Sequence, residues 1–432
     1  DIFMSKKIRR MCLLITEKIY KSNFLSDVID HNTTYQKLSK TEKSLVNMTI
    51  LTMLRRNGEI ESIVNKFLKK PLKPKHDTIK NIIRLSTTQI LYLNLPDHSI
   101  VNGYVDIVKE IRPGYENLVN GILRNICRNK KNLLKVNDTI KNLPNWIKNG
   151  WSKSLNREIV NEISKILVSI PKTDIHIKKK IIDKKDWEFE LGGQLVFNNI
   201  IRLNNTKKIS ELVGFKDGDW WVQNAAASIP VKIIENYFRT STQISVLEVG
   251  SSPGGKTIQL LDAGFLVTAI EKSPNRVKKL KDNLKRVNLK CEVLDVDLDK
   301  FQTTSSFDCC LLDVSCTSSG IVGRKPEILV LKKSVNELVL NQEMVINKAS
   351  KLIRKNGILV YCVCSLMFEE GENQTKKFLE RNRNFRKIDL EKIFSKKFDF
   401  HFKNKDIMTL PINYKNLGGL DGFYISCLQK FK

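Results

Sequence analysis

The sequence predicts a multidomain chain. An all-α segment comes first, then a small α+β segment, then an α/β segment built on a doubly wound, mainly parallel sheet. Three observations lead there. The chain has 432 residues, more than a single hydrophobic core usually serves. Apolar residues recur at helical spacing through its first third. From residue 244 onward, short apolar runs alternate with helical stretches, the pattern of parallel strands joined by crossover helices. At 41% hydrophobic and 28% charged residues, the composition excludes wholesale disorder and collagen-like repetition.

Residues 1–135 are expected to be helical throughout. The runs I-V-N-K-F-L-K-K, T-I-K-N-I-I-R-L-S-T-T-Q-I-L-Y-L and I-V-N-G-Y-V-D-I-V-K-E-I repeat apolar residues every three or four positions. Breaks are expected at Pro71, Pro74, Pro96 and Pro113-Gly114. Residues 136–240 form a connecting, positioning region. A helical stretch opens it, with Trp146 and Trp151 as core residues. Strands are expected at T-D-I-H-I-K-K-K, W-E-F-E-L and Q-L-V-F, then a turn, a short strand and a helix over G-D-W-W-V-Q-N-A-A-A-S-I-P-V-K-I-I-E-N-Y. Residues 241–432 carry the sheet, with strands at I-S-V-L-E-V-G, F-L-V-T-A-I-E, C-E-V-L-D-V-D, F-D-C-C-L-L-D-V, G-I-L-V-Y-C-V-C-S and G-F-Y-I-S-C-L.

The net charge is +28. A surplus of this size attracts polyanions, but a chain rich in Lys, Ile and Asn could carry it through composition alone. Residues 1–150 hold 27 Lys+Arg against 13 Asp+Glu, so half the excess lies on the helical third. Such a surface suits RNA phosphates and equally suits a solvated scaffold face. The short apolar run Met11–Thr16 is broken by Glu17 and Lys18, so no secretory signal is expected. No stretch reaches the roughly 18 apolar residues of a membrane span. The nine cysteines form no paired C-x-x-C set, so neither a zinc site nor a disulfide framework is expected. Cys291, Cys309, Cys310, Cys362 and Cys427 read as small core hydrophobes. A cytoplasmic monomer, with no membrane or metal partner, is the expectation.

The first C-terminal strand runs into Gly250-Ser251-Ser252-Pro253-Gly254-Gly255-Lys256. Its small residues allow close backbone approach, and the following helix offers free N–H groups. The turn is neither a P-loop nor the G-x-G-x-x-G of dinucleotide sites. Glu271 ends the second strand about 20 residues on, where an acidic side chain accepts from ribose hydroxyls. Asp297 is expected to end the third strand and Asp313 the fourth. Three acids at successive strand ends after a glycine turn point to a nucleoside ligand. Without a dinucleotide fingerprint, that favours S-adenosylmethionine.

Asp313-Val-Ser-Cys316 and Val363-Cys364-Ser365 end adjacent strands, which brings two thiols and a carboxyl to one crevice. Pyrimidine C5 is a poor nucleophile. A thiolate adding at C6 makes C5 nucleophilic enough to take a methyl group, and a base then removes the C5 proton so that the thiolate can leave. A carboxyl group at N3 and the exocyclic amine assists addition and selects cytosine over uracil.

These motifs resemble the RsmB/Sun-type RNA cytosine-5 methyltransferases over nearly the whole chain. E-V-G-S-S-P-G-G-K-T at Glu248–Thr257 is similar to the family's D-x-C-A-A-P-G-G-K-T. D-V-S-C-T-S-S-G at Asp313–Gly320 is similar to D-A-P-C-S-x-T-G, with R-K-P-E-I after it. Y-C-V-C-S at Tyr361–Ser365 is similar to Y-x-T-C-S, and Glu369, Glu370 and Asn373 follow. The resemblance implies a Rossmann-like, class I S-adenosylmethionine-dependent methyltransferase domain behind a NusB-like RNA-binding domain over 1–135. It also implies 16S rRNA as substrate. In that reading Cys364 is the C6 nucleophile, and Cys316 assists proton removal and enzyme release. Asp313 meets the target base and the donor end of the cofactor. Gly250–Lys256 surround the methionine part, Glu271 holds the ribose, and Asp297 lies on the adenine side. The chain departs from the family at Gly250-Ser251-Ser252, Ser315, Val363 and Gly323. A non-catalytic RNA-binding assembly protein, and the same chemistry on tRNA, are the alternative readings.

Overall fold

A computed structural model describes residues 5–136, 138–204, 208–241, 243–331 and 334–432. Residues 1–4, at the head of the segment read for a secretory signal, lie outside the described residues. The chain divides into two compact units.

The first unit draws on the described residues of 1–149, 160–169 and 322–333, and is helical as expected. Lys6–Tyr20 opens it, capped by the Ser5 side chain accepting from the Ile8 N–H. Ile8, Met11, Cys12, Ile15 and Ile19 lie on one buried face, so the run considered as a signal segment belongs to a helical core. Lys40–Arg55 begins with a reciprocal capping box between Ser39 and Glu42. Asp77–Tyr92 is buried on nearly every side and packs against Lys40–Arg55 and Glu116–Lys135. R-K-P-E-I, which follows the Cys316 motif in the chain, forms part of this unit. Its Pro326–Leu329 turn packs on Lys40–Arg55, and the Arg55 Nε donates to the Gly323 carbonyl at 3.1 Å.

The second unit comprises 150–159 and the described residues of 170–321 and 334–432. It holds a four-stranded antiparallel sheet in the spatial order Gly193–Phe197, Ile200–Leu203, Asp174–Ile177, Trp220–Val222. Two of the three strands expected here are present, but W-E-F-E-L is a helical turn, Trp187–Leu191. Asp186 caps it by accepting from the Phe189 N–H, and Gly192 ends it at φ 61°. Apolar–acidic alternation suggested a strand. Trp187 and Leu191, four residues apart, are the buried pair, and Phe189 between them is 83% exposed. Trp151 is fully buried and Trp146 half-buried.

The large sheet has nine strands among the described residues. Glu292–Asp295, Leu266–Glu271, Ser245–Val249, Phe307–Asp313 and Ile353–Val363 lie side by side and parallel. Strand order reverses beside Ser245–Val249, which pairs with Leu266–Glu271 on one side and Phe307–Asp313 on the other. Ligands of such sheets bind at the carboxyl ends of the strands at this reversal. The rest of the sheet is antiparallel. Phe423–Lys430 pairs with Ile353–Val363, and Asp406–Thr409, His401–Lys403 and Phe385–Lys387 extend that edge. The sheet is thus more mixed than expected. Cys309, Cys310, Cys362 and Cys427 are fully buried in it, and Cys291 is half-buried.

A buried ion pair joins the small sheet to the C-terminal loop. Arg202 donates from Nε and Nη2 to both Asp174 oxygens at 2.7 and 2.9 Å, and from Nη1 to the Leu417 and Gly419 carbonyls. Asp174 also accepts from the Ala225 N–H. Removing one partner strands a buried charge. Arg202→Ala is therefore expected to lower unfolding stability by about 3–5 kcal/mol in urea titrations followed by circular dichroism. A loss below about 1 kcal/mol contradicts this.

Candidate active site

Ser245–Val249 ends at Gly250, whose φ of +81° suits glycine. A Cβ there would lie 2.3 Å from the Asp313 carbonyl oxygen, so the turn is pressed against the neighbouring strand end. Ser251 and Ser252 hold the loop to the next strand. The Ser251 hydroxyl donates to the Ile270 carbonyl at 2.9 Å, and the Ser252 N–H donates to Glu271 at 3.4 Å. Gly254, at φ +107°, starts the Gly255–Asp262 helix. Glu271 is almost completely buried, accepts from the Ser273 N–H at 3.2 Å and pairs with Arg276 at 3.3 Å.

Lys256 turns back from that helix to Asp313, Nζ to Oδ2 at 2.6 Å. Burial pulls its pKa down, but Asp313 and the acids around it push harder, so the ammonium is held above its ordinary value. Beneath the loop, Glu248 accepts from the Thr257 hydroxyl at 2.6 Å, and burial pushes its carboxyl up to about 8.

The Phe307–Asp313 and Ile353–Val363 strands pair with Asp313 opposite Cys362. Cys316 and Cys364 follow the two strand ends, and their sulfurs lie 3.4 Å apart. The pair is asymmetric. The two thiols share a hydrogen bond; with Cys316 as its donor it draws Cys364 below the ordinary thiol value, while burial and Asp313 oppose the shift and the Ser318 side chain and Lys256 aid it. The same hydrogen bond, with burial, holds Cys316 well above that value. Cys362 is fully buried; its thiol donates to the Leu312 carbonyl at 3.2 Å and approaches Asp313 Oδ1 at 3.9 Å.

Gly250–Lys256, Glu271, Asp313, Cys316 and Cys364 thus gather at the strand ends. Asp297 stands apart. Its strand is Glu292–Asp295, two residues shorter than expected. Asp297 lies in the following turn, half-exposed, and pairs with Lys272, the residue after Glu271, at 3.8 Å. The sequence reading gave Glu370 no role. Its carboxylate is fully buried and accepts from residues beside both cysteines. Its signal was the pair of acids after the Cys364 motif.

The crevice fits S-adenosylmethionine. Two left-handed glycines leave no room for side chains against the loop. Lys256 is neutralised by Asp313, which leaves the turn poorly suited to a pyrophosphate. Glu271 and Asp313 stand beside one buried cation, Lys256, an electrostatic setting that suits a cationic sulfonium. Among the described residues, no group of three or more His, Cys, Asp or Glu side chains is placed to hold a metal ion. No helix among them is long and apolar enough to cross a membrane.

Residues 238–429 match the family described as 16S rRNA methyltransferase RsmB/F, and residues 6–128 match the NusB family. The ribosomal RNA small subunit methyltransferase B of Cronobacter sakazakii is 27% identical over 386 residues, spanning 85% of this chain and 88% of that protein. The protein of the same name from an Enterobacter species is 26% identical over 403 residues, spanning 88% and 91%. The solved structure of PH0851 aligns at a TM-score of 0.74 and 19% identity, covering 98% of each chain. That of NSun6 from Pyrococcus horikoshii with SFG aligns at 0.56 and 19%, covering 67% of this chain and 99% of the other. At these identities the two structures share the fold. With both domains matched in chain order, the chain carries a methyltransferase domain of RsmB/F type behind a NusB-family domain and is an S-adenosylmethionine-dependent RNA methyltransferase.

Proposed function

We propose that the enzyme forms 5-methylcytosine in 16S rRNA through a covalent bond between Cys364 and C6 of the target base. The observation that carries this reading is the thiol pair. Two sulfurs 3.4 Å apart at adjacent strand ends, one acidified by the other, suit a reaction needing a nucleophile and a second proton-handling group. The family description and the names of the curated relatives support small-subunit rRNA as the substrate.

S-adenosylmethionine, when bound, supplies the methyl group as an electrophile. The residues proposed to hold it are Gly250, Ser251, Ser252, Pro253, Gly254, Gly255 and Lys256 around the methionine part, Glu271 at the ribose, and Asp297 on the adenine side. The Cys364 thiolate adds to C6, and the electron pair of the C5–C6 double bond becomes available at C5. Asp313, steadied by Lys256, accepts a hydrogen bond from the exocyclic amine, a donor that uracil lacks at that position. After methylation, with Cys364 bonded to C6, Cys316 gives up its own proton to solvent and its sulfur takes the C5 proton. The C5–C6 double bond re-forms, and the Cys364–C6 bond breaks to return the thiolate.

We assign residues 1–135 to gripping RNA through phosphate contacts, 136–240 to positioning it, and 241–432 to catalysis. None of the nine cysteines is in a disulfide, as suits the reducing cytoplasm.

Cys364→Ala is expected to abolish methylation of small-subunit rRNA transcripts, read as loss of bisulfite-resistant cytosine. Cys316→Ala is expected to leave a denaturation-resistant protein–RNA band on gels. If Cys364→Ala still methylates cytosine, the covalent route is wrong. The pH dependence has a definite sign. Because Cys364 is held low, its alkylation by iodoacetamide should rise with pH through a midpoint below the ordinary thiol value of about 8.5. Below that midpoint, reactivity falls about tenfold per pH unit. Removing the donor in Cys316→Ala should move the midpoint up, and an unmoved midpoint would contradict the assigned hydrogen bond.

A further inference from the structure

Beneath the two cysteines lies a closed polar cluster in the interior of the second unit. At its centre is Glu370, fully buried. Its Oε1 accepts from the Thr317 N–H at 2.8 Å and the Gln342 side chain at 3.1 Å. Its Oε2 accepts from the Thr317 hydroxyl at 2.6 Å and the Ser365 hydroxyl at 2.5 Å. Four donors occupy the roughly four lone-pair sites a carboxylate offers. Thr317 follows Cys316 and Ser365 follows Cys364, so one carboxylate grips the residue after each cysteine.

The surrounding contacts repeat the arrangement. Gln342 also donates to the Ser315 carbonyl at 3.0 Å, on the other side of Cys316. Ser319 and Ser365 share a hydrogen bond at 3.0 Å. The Gly320 N–H donates to the Cys364 carbonyl at 3.0 Å. Gly320 is pressed so closely on Gly422 that a Cβ would lie 1.9 Å from its carbonyl oxygen. The Tyr361 hydroxyl donates to the Glu370 carbonyl at 2.6 Å, anchoring the turn that carries the glutamate.

We propose that Glu370 is the positioning residue of the thiol pair: its carboxylate pins the Cys316 loop to the Cys364 loop and so fixes the two sulfurs within hydrogen-bond reach. The inference rests on the two-cysteine reading above. A neutral side chain of the same shape could fill the space, but Gln would present an NH2 group to a ring of donors. A buried carboxylate is costly unless its lone pairs are satisfied, and here all are. Its charge has a second effect. Glu370 opposes ionisation of Cys316, which keeps the proton on Cys316, where it is donated to Cys364. The other groups facing Cys364 are Asp313, Ser318 and Lys256. Ser318, on the Cys316 loop, adds its own hydrogen bond to Cys364, whereas Asp313 and Lys256 act on Cys364 through their charge. Glu370 makes no contact with the reacting base in this account; it acts through the cysteines.

The test is Glu370→Gln in the full chain, with three readouts. The kcat for rRNA methylation should fall about a hundredfold, the cost of misplacing reacting groups by about an ångström. The Kd for S-adenosylmethionine should stay within about twofold, because Glu370 is not among the residues proposed to hold it. The midpoint of Cys364 alkylation should rise by about one pH unit, a tenfold loss of thiolate near neutrality. A general loosening of the fold would expose Cys364 and raise its reactivity at all pH values without that shift. Wild-type kcat with a wild-type midpoint overturns the proposal. If Glu370→Gln does not fold, Thr317→Val and Ser365→Ala each delete one donor. Each should move the midpoint up by a smaller amount, and no movement in either also overturns it. Alkylation needs no RNA, so it tests Glu370 even if Cys364→Ala were to retain methylation and remove the covalent reading itself.

Discussion

Asp313 lies opposite Cys362 in the parallel ladder between the fourth and fifth C-terminal strands, and the geometry of the site follows from that pairing. It fixes where both strands stop. Three residues beyond Asp313 comes Cys316, two beyond Cys362 comes Cys364, and the sulfurs arrive 3.4 Å apart. The paired residues 309–312 and 358–361 are buried, and a one-residue slip would turn every side chain to the opposite face. The packing of these apolar runs, which builds the core, therefore also sets the register of the thiols.

Around that ladder, acids are buried at several points and each is handled differently. Asp313 is paired with a lysine. Glu271 accepts backbone N–H groups and faces an arginine. Glu248 accepts from a threonine hydroxyl, and burial raises its carboxyl to about 8. Glu370 is satisfied by four hydrogen bonds. Only Asp313 combines partial exposure, a fixed partner and adjacency to the thiols, which is why it is assigned to the base edge.

The strands carrying the site were legible because each is a continuous apolar run ending in a chemically distinctive residue. Phe307–Asp313 and Ile353–Val363 are clear examples. The short strands Phe385–Lys387, His401–Lys403 and Asp406–Thr409 were not, because each is three or four residues long and gives no apolar run to read. W-E-F-E-L misled because alternation and a single helical turn place Trp187 and Leu191 alike. The run C-E-V-L-D-V-D predicts a strand ending at Asp297, whereas pairing with Leu266–Glu271 stops at Asp295. The roles of Glu370 and Arg202 depend on partners far away in the chain, Thr317 for one and Leu417 and Gly419 for the other. No local pattern carries that information.

The central claim is that Cys364, and not Cys316, bonds to the base. A small-subunit rRNA transcript made with 5-fluorocytidine tests it most directly, since fluorine at C5 blocks the proton removal that would release the enzyme. Incubated with the wild-type enzyme and S-adenosylmethionine, then digested and mapped by mass spectrometry, it should yield one adduct, on the peptide containing Cys364, with the mass of a methylated fluoropyrimidine. An adduct on the peptide containing Cys316, or none from an enzyme that methylates the unfluorinated transcript, would contradict the account.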